Sequence, residues 1–329
     1  MAELQAMLLR LVIALVGAVV MVGVIVAVAT VIDRLWRRTP AERLLARIPE
    51  YQQAIAKIAA EEFADALDLA WRAYERCQAL VAGRPRGRTA LACAETVLGS
   101  ALTQVGRYDE ALAYLVPASE HLRDAGERDG GDRWTLELTC LLSLSEAQRS
   151  LGEHREALRS SERAVRLHIV HHGVRRTRSK LYRWSLLHHG RVLVADNRLA
   201  DATDAVKDTL ILARTERHRD DQLAAACLVT LAEIGAKTGS PQLTLPLAEQ
   251  AVTELRALAI DAVHHRDMLA EALVVAADLF YRVGRSDDAE RAAREAGELL
   301  AGLSHELPDR FTTRLEQLRQ RHPAVGPPL

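Results

Sequence analysis

The chain has few aromatic residues and carries almost no net charge. Phe, Trp and Tyr make up 4 % of the 329 residues, and 43 Lys and Arg nearly balance 44 Asp and Glu. This balance excludes a protein that coats nucleic acid through a strong positive charge, so we do not expect nucleic acid as a partner. A mean hydropathy of −0.04 excludes a protein built mainly of membrane spans, and 49 % hydrophobic residues exclude general disorder.

Cysteine is also rare, and its spacing excludes two kinds of small scaffold. Cys77, Cys93, Cys140 and Cys227 stand singly, without a Cys-x-x-Cys pair. Neither a disulfide framework nor a zinc site has this spacing. A lone cysteine in a helical pattern is most often a small buried hydrophobic residue, so we expect reduced thiols.

Motifs of the common enzyme classes are missing. The sequence has no G-x-x-x-x-G-K-[ST] phosphate loop, no H-E-x-x-H zinc motif and no G-x-S-x-G nucleophile motif. His168 and His172 have the spacing of two metal ligands on one helix face, but no third ligand accompanies them. We therefore predict no enzyme: no catalytic residue, no cofactor and no bound metal.

One uncharged run, from Leu11 to Ile32, is long enough to cross a membrane as a helix. Arginines cluster after this run, within residues 34–47, and the positive-inside rule then places the C-terminal side in the cytoplasm. The prediction is a single-pass membrane protein with its N-terminus outside and its C-terminal domain in the cytoplasm. Small residues four apart, at Ala14/Ala18 and Gly23/Ala27, would allow a homodimer through this helix.

Residues 1–29 also fit a second interpretation, a cleaved signal peptide, because Ala27-Val28-Ala29 resembles an A-x-A cleavage site. The repeat domain would then be exported. The apolar run is longer than the usual segment of about 7–15 residues, and the arginines after it oppose export. The uncleaved anchor is therefore favoured.

After Pro49 the sequence repeats a helical pattern with a period of about 45 residues. In each unit a turn residue precedes an acidic and a small residue, except that the fifth unit lacks the acidic one. The turn residues are Glu61, Gly106, Gly152, Asn197, Gly239 and Gly284. Gly or Asn permits the left-handed conformation that ends a helix, and the acidic residue complements the dipole of the next helix. The small residue lets the two helices approach. The pattern predicts about six two-helix units.

These units resemble tetratricopeptide repeats (TPR), and Leu98-Gly99 matches the large–small pair of that family's first helix. The best unit runs from about Ala92 to Leu122. The long period resembles the repeats of kinesin light chains and of bacterial tetratricopeptide regulators. The resemblance implies an all-α fold, a right-handed α-solenoid of TPR-like helical hairpins, here preceded by one transmembrane helix. It also implies a binding scaffold.

Proline and the helix-start signals set the predicted domain boundaries. A capping box at Thr39-Pro40-Ala41-Glu42 starts a helix, Pro49 interrupts it, and Pro308 opens a last helix. The predicted divisions are an N-terminal segment 1–33 with a transmembrane helix 11–32, a basic juxtamembrane helix 34–48, a repeat array 49–304, a capping helix 305–322 and a disordered tail 323–329.

The resemblance also implies a binding surface, because the first helix of each unit lines the concave groove in this family. Transferring that register gives the residues expected to bind a protein or peptide partner: Thr96, Ser100, Gln104, Glu146, Arg149, Trp184, His188, Arg191, Glu233, Lys237, Asp278, Tyr281 and Arg282. The predicted function is a membrane-anchored scaffold that holds a protein partner at the cytoplasmic face of a bacterial membrane. The alternative is a regulatory sensor in which the basic stretch 168–191 responds to a small ligand or an anionic lipid.

Overall fold

The computed structural model describes residues 40–82, 87–129, 134–172, 179–215, 219–258 and 261–325. Across these ranges the only regular elements are fourteen α-helices and a short 3-10 helix at Pro323–Val325, with no strand. In chain order the α-helices are α1 (Pro40–Leu45), α2 (Pro49–Ala59), α3 (Phe63–Val81), α4 (Arg88–Val105), α5 (Tyr108–Asp129), α6 (Trp134–Ser150), α7 (His154–His172), α8 (Lys180–Ala195), α9 (Leu199–Arg214), α10 (Asp221–Lys237), α11 (Pro241–Leu258), α12 (Val263–Arg282), α13 (Ser286–Glu306) and α14 (Pro308–Arg321).

Six helical hairpins, α2–α3 through α12–α13, follow from six turns of the same geometry. Backbone φ is positive at every predicted turn residue: 60° at Glu61 and Asn197, 90° at Gly106, 80° at Gly152, 78° at Gly239 and 82° at Gly284. The bonding also repeats. After Gly106, for example, the N–H of Arg107 donates to the carbonyl of Leu102 at 2.9 Å, which is the closing bond of a Schellman helix end. The predicted turns are confirmed.

The small residue after each turn brings the two helices of a hairpin together. Ala111 and Ala202, for instance, are completely buried. The fifth unit has Thr244 at this place instead, and Gly235 of the preceding helix makes room for it. A Cβ atom on Gly235 would overlap the Thr244 side chain. In this unit the small residue has moved to the opposite helix, so close packing survives the departure from the pattern.

The array closes on itself because its last helix reaches back to its early units. Arg310 of α14 donates from Nη1 to both the backbone carbonyl and the side-chain oxygen of Gln104, each at 3.0 Å. The N–H of His264, at the start of α12, donates to the Glu61 carboxylate at 2.8 Å. Phe63 shares one hydrophobic core with the C-terminal units. The helix predicted as a cap therefore also contacts the beginning of the array.

The four cysteines pack into the helical interior. All four are buried and none forms a disulfide. Burial raises the pKa of Cys77 to about 11 and that of Cys140 and Cys227 to about 12. These three thiols are therefore protonated at neutral pH, and all four cysteines act as small core residues.

The predicted localisation needs a correction. Each long helix that the structure describes carries charged residues along it, and none is apolar enough to cross a membrane. Even α10, which has twelve buried residues, begins at Asp221 and ends at Lys237. The run at 11–32, from which the transmembrane helix was predicted, lies outside the described residues. The prediction of a single-pass membrane protein with its N-terminus outside is therefore withdrawn, and so is a dimer through that helix.

Because of ring closure, the turn at Gly106 tolerates a side chain less well than the turn at Gly152 does. A methyl group on Gly106 would lie 2.6 Å from Cα and 2.7 Å from N of Arg310, whereas one on Gly152 would meet nothing within 4 Å. Both glycines have a left-handed φ, so alanine costs each a similar 1–2 kcal/mol, roughly, in backbone strain.

We expect Gly106→Ala to lower the free energy of unfolding by about 2 kcal/mol more than Gly152→Ala does, because backbone atoms of α14 must move. Urea denaturation of the two variants measures this difference. Equal losses would show that α14 does not press against the Gly106 turn.

Candidate functional site

The inner face of the ring lines a partly open cavity of about 770 Å³. This volume falls within the range of about 300–1,000 Å³ that is usual for ligand sites. The wall comes from the α4–α5 turn and from helices α6, α8, α12 and α14, in the order Thr103, Gln104, Gly106, Tyr108, Leu142, Ser143, Glu146, Arg149, Ser150, Trp184, Leu187, His188, Arg191, His264, Asp267, Met268, Glu271, Asp309, Arg310, Thr313, Arg314 and Gln317.

Two ion pairs hold charges on the α6 and α8 sides of the cavity. Arg149 binds both carboxylate oxygens of Glu146, from Nε at 3.0 Å and from Nη2 at 2.7 Å. Burial by itself would raise the pKa of Glu146, but the Arg149 guanidinium lowers it to about 2. Arg191 reaches across from α8 and donates to Glu271 of α12 at 2.9 Å. Both carboxylates are thus supplied with a positive partner.

A third cluster joins α12 to α14. The Asp267 carboxylate accepts hydrogen bonds from Arg310, at 2.9 Å, and from Arg314. Burial alone would raise the pKa of Asp267, but these two guanidinium groups lower it below its usual range. Since Arg310 also binds Gln104, the same side chain closes the ring and neutralises a buried acid.

His188, on the wall of the cavity, stays neutral at physiological pH. Burial lowers its pKa to about 4. Glu146 opposes the shift, whereas Arg149 and Arg191 add to it. The imidazole therefore enters the chemistry of the cavity as an uncharged ring with one N–H donor and one acceptor nitrogen.

Six of the thirteen predicted groove residues line this cavity: Gln104, Glu146, Arg149, Trp184, His188 and Arg191. Thr96 and Ser100 lie within the helix packing instead. The Thr96 hydroxyl donates to the carbonyl of Ala92, and the Ser100 hydroxyl shares a hydrogen bond of 2.9 Å with Ser143. These two residues lie nearer the N-terminus of α4 than Gln104 does, where α6 packs against the helix.

The remaining five predicted groove residues also lie outside the cavity wall. Glu233 and Lys237 pair with each other at 3.2 Å, Asp278 binds Arg321 and His322, Tyr281 is 70 % exposed, and Arg282 donates to the carbonyl of Ala236. No residue of α10 lines the cavity, and the wall passes from α8 to α12. The assignment of all thirteen residues to a partner stays a prediction.

Sequence reasoning missed the side chains that α14 and the first half of α12 contribute. The register was transferred only to first helices, and α14 was treated as a cap. One signal was present: Arg310 and Arg314 are four residues apart and therefore share a helix face. Nothing in the sequence indicated that this face meets Asp267 and Gln104.

Within the basic stretch 168–191, the residues that the structure describes do not form one surface. His168 is buried and stacks on Tyr182 with ring centroids 4.6 Å apart, and Arg183 is also buried. Trp184 packs edge-on against His264, 5.6 Å between centroids, at the cavity wall. Residues 173–178, with three of the arginines, lie outside the described residues, as does the side chain of His172. In the described parts of the chain, no three His, Cys, Asp or Glu residues are placed to hold a metal ion.

Known proteins support the helical repeat fold. Residues 90–168 match the tetratricopeptide repeat family. The solved structures that are similar include BtubC (BKLC) from P. vanneervenii, with a TM-score of 0.53, 15 % identity and coverage of 81 % of this chain and 93 % of that one. No curated protein matches the chain in sequence. The protein is built from tetratricopeptide-like repeats.

Two further solved structures are similar to parts of this chain. The Rap conjugation gene regulator of the plasmid pLS20, in complex with the Phr* peptide, has a TM-score of 0.50 and 14 % identity, covering 88 % of this chain and 79 % of that one. Kinesin light chain TPR-like repeats from Podosopora anserina have a TM-score of 0.43 and 16 % identity, covering 63 % and 94 %. The similarity to the Rap regulator is in fold.

The lowered pKa of His188 makes the stability of the fold depend on acid. The unfolded chain takes up a proton near pH 6.5, whereas the folded chain resists protonation until about pH 4, so stability is lost as pH falls through this window. His188→Gln keeps a side-chain donor for Ser145 but does not titrate.

Between pH 7 and pH 4, we expect the free energy of unfolding of the wild type to fall by about 2–3 kcal/mol more than that of His188→Gln. Urea denaturation at several pH values measures this. His305→Gln, at an exposed histidine, is the control and should follow the wild type. Parallel curves for wild type and His188→Gln would contradict the assigned pKa.

Proposed function

We propose that this protein is a non-enzymatic scaffold that binds a short, extended peptide segment of a partner protein inside the cavity. The closure of the ring is the observation that carries the proposal. With α14 held against α4 through Arg310 and Gln104, the interior is a partly open cavity of about 770 Å³. A folded domain does not fit into such a volume, whereas a few residues of extended chain do.

The chemistry of the wall suits a peptide. Trp184, Leu142 and Met268 provide apolar contact, and the ion pairs of Glu146 and Arg191 provide acceptors and donors side by side. A peptide presents the same mixture, an amide donor and an amide acceptor at each residue between side chains of varied polarity. Because the charges of the wall are already paired, they can orient a ligand without favouring one net charge.

The fold comparison is consistent with this proposal. One similar structure is that of a Rap regulator in complex with a peptide, and tetratricopeptide-like scaffolds are general protein-binding architectures. The similarity concerns the fold alone, and the argument for peptide binding depends on the cavity of this chain.

The sensor alternative, with a charged ligand on the 168–191 stretch, has less support. Arg183 is buried, and Arg191 is committed to Glu271. A ligand that enters near Trp184 or His188 enters the same cavity as the peptide, so the two alternatives share a site and differ in the size of the ligand.

Two adjacent threonines on α14 allow a matched test. Thr312 and Thr313 are both exposed, but only Thr313 lines the cavity. Tryptophan at 313 would fill part of the cavity, whereas tryptophan at 312 would add the same surface outside it.

The experiment begins with selection of a random seven-residue peptide library on the purified protein, followed by fluorescence polarisation with the enriched peptides. We expect Thr313→Trp to weaken binding at least tenfold and Thr312→Trp to leave it within twofold of the wild type. Failure to enrich any peptide, or equal binding by both variants, would refute peptide binding in this cavity.

A further inference from the structure

The ring of His188 is held in one tautomer by a chain of hydrogen bonds. The hydroxyl of Ser145 donates its only hydrogen to the carbonyl of Ala157 at 2.9 Å. Its oxygen therefore acts as the acceptor for Nε2 of His188, 3.0 Å away. Because a neutral imidazole carries one N–H, the hydrogen is on Nε2 and Nδ1 keeps a free lone pair.

The lone pair on Nδ1 shares the cavity with a second acceptor. Nδ1 lies 3.8 Å from Oε2 of Glu146, which is too far for a hydrogen bond. The carboxylate is ionised, since Arg149 binds both of its oxygens. In the described part of the chain no hydrogen bond reaches Nδ1. Two acceptors therefore stand side by side on the cavity wall with no hydrogen between them.

The charges around this pair determine which donor it suits. Arg149 lies on the Glu146 side, and Arg191 is one helical turn after His188 on α8. Glu146 is already paired with Arg149, and Arg191 with Glu271, so an ammonium group finds no unpaired carboxylate at this place. An uncharged N–H group needs no such partner, and the guanidinium groups can donate to a carbonyl oxygen next to it.

We infer that Glu146 and His188 form an amide-recognition subsite, which accepts an uncharged N–H from an amide group whose carbonyl oxygen points toward Arg149 or Arg191. In a bound peptide the amide would be either a backbone peptide group or the carboxamide of Asn or Gln. That identification of the ligand rests on the proposed function. The subsite chemistry itself does not, and it can be tested with small amides.

The neighbouring histidine provides an internal control for the tautomer. The Ser161 hydroxyl donates to the carbonyl of Leu158 at 3.0 Å, and its oxygen lies 2.9 Å from Nδ1 of His189. By the same reasoning His189 carries its hydrogen on Nδ1. Two adjacent histidines are therefore expected in opposite tautomers, His188 with Nε2–H and His189 with Nδ1–H.

The first measurement is long-range proton–nitrogen NMR of the ¹⁵N-histidine-labelled protein at pH 7.5, with His188→Gln and His189→Gln used to assign the two rings. The expected result is the opposite tautomers described above. A His188 ring with its hydrogen on Nδ1, or a doubly protonated ring, would overturn the proposal because Nδ1 could not then accept.

The second measurement titrates four small probes while following the Nδ1 resonance of His188. Acetamide represents a carboxamide, N-methylacetamide a backbone amide, N,N-dimethylacetamide an amide without N–H, and methylammonium a cationic donor. We expect acetamide, N-methylacetamide or both to shift the Nδ1 resonance. Their binding should be at least fivefold tighter than that of N,N-dimethylacetamide and methylammonium. The stronger of acetamide and N-methylacetamide identifies which peptide group the subsite takes.

A variant separates positioning by Ser145 from a general effect on folding. Ser145→Ala should release the His188 tautomer and weaken amide binding severalfold, while leaving the His189 tautomer unchanged. Preferential binding of methylammonium, or no response to any probe, would overturn the subsite. Peptide binding that is blocked by Thr313→Trp would still stand in that case, so failure of the subsite and failure of the proposed function are distinguishable.

Discussion

The contact of Arg310 with the early units is the interaction on which the rest of the structure depends. Its guanidinium binds Gln104 of α4 on one side and Asp267 of α12 on the other. An array of helical hairpins is otherwise an open superhelix, in which each unit contacts only its neighbours. This one side chain, together with the Glu61–His264 bond, joins units that are far apart in sequence and turns an open concave face into a cavity.

Closure has an electrostatic cost, which the pairing of charges offsets. Asp267 is buried and Arg310 is largely so, and a buried charge without a partner would destabilise the fold by several kcal/mol, roughly. Each described carboxylate–guanidinium contact in the wall removes part of that cost. Such an arrangement contributes little net stability, but it fixes the relative positions of α12, α14 and α4. The cavity therefore has a defined shape and a defined set of donors and acceptors.

The local parts of this structure could be predicted from sequence because local chemistry determines them. A left-handed residue ends a helix wherever it occurs, and so Gly106 and Asn197 marked their turns correctly. Register on α6 and α8 likewise placed Glu146 and His188 on the inner face. The curvature of the whole array could not be predicted, because it depends on packing between distant units. Helix α10 contributes no residue to the wall, so Glu233 lies outside it, and α14 lines a part of the cavity that no repeat pattern assigned to it.

The most direct test of the closed ring is the distance between its two ends in solution. Spin labels on cysteines introduced at Asp109, just after the Gly106 turn, and at Thr312 on α14 report that distance by electron–electron double resonance. Both positions are exposed, whereas the four native cysteines are buried. A closed ring predicts a single narrow distribution at short distance, which Arg310→Ala broadens toward longer distances. A broad, long distribution in the wild-type protein would contradict closure and, with it, the cavity.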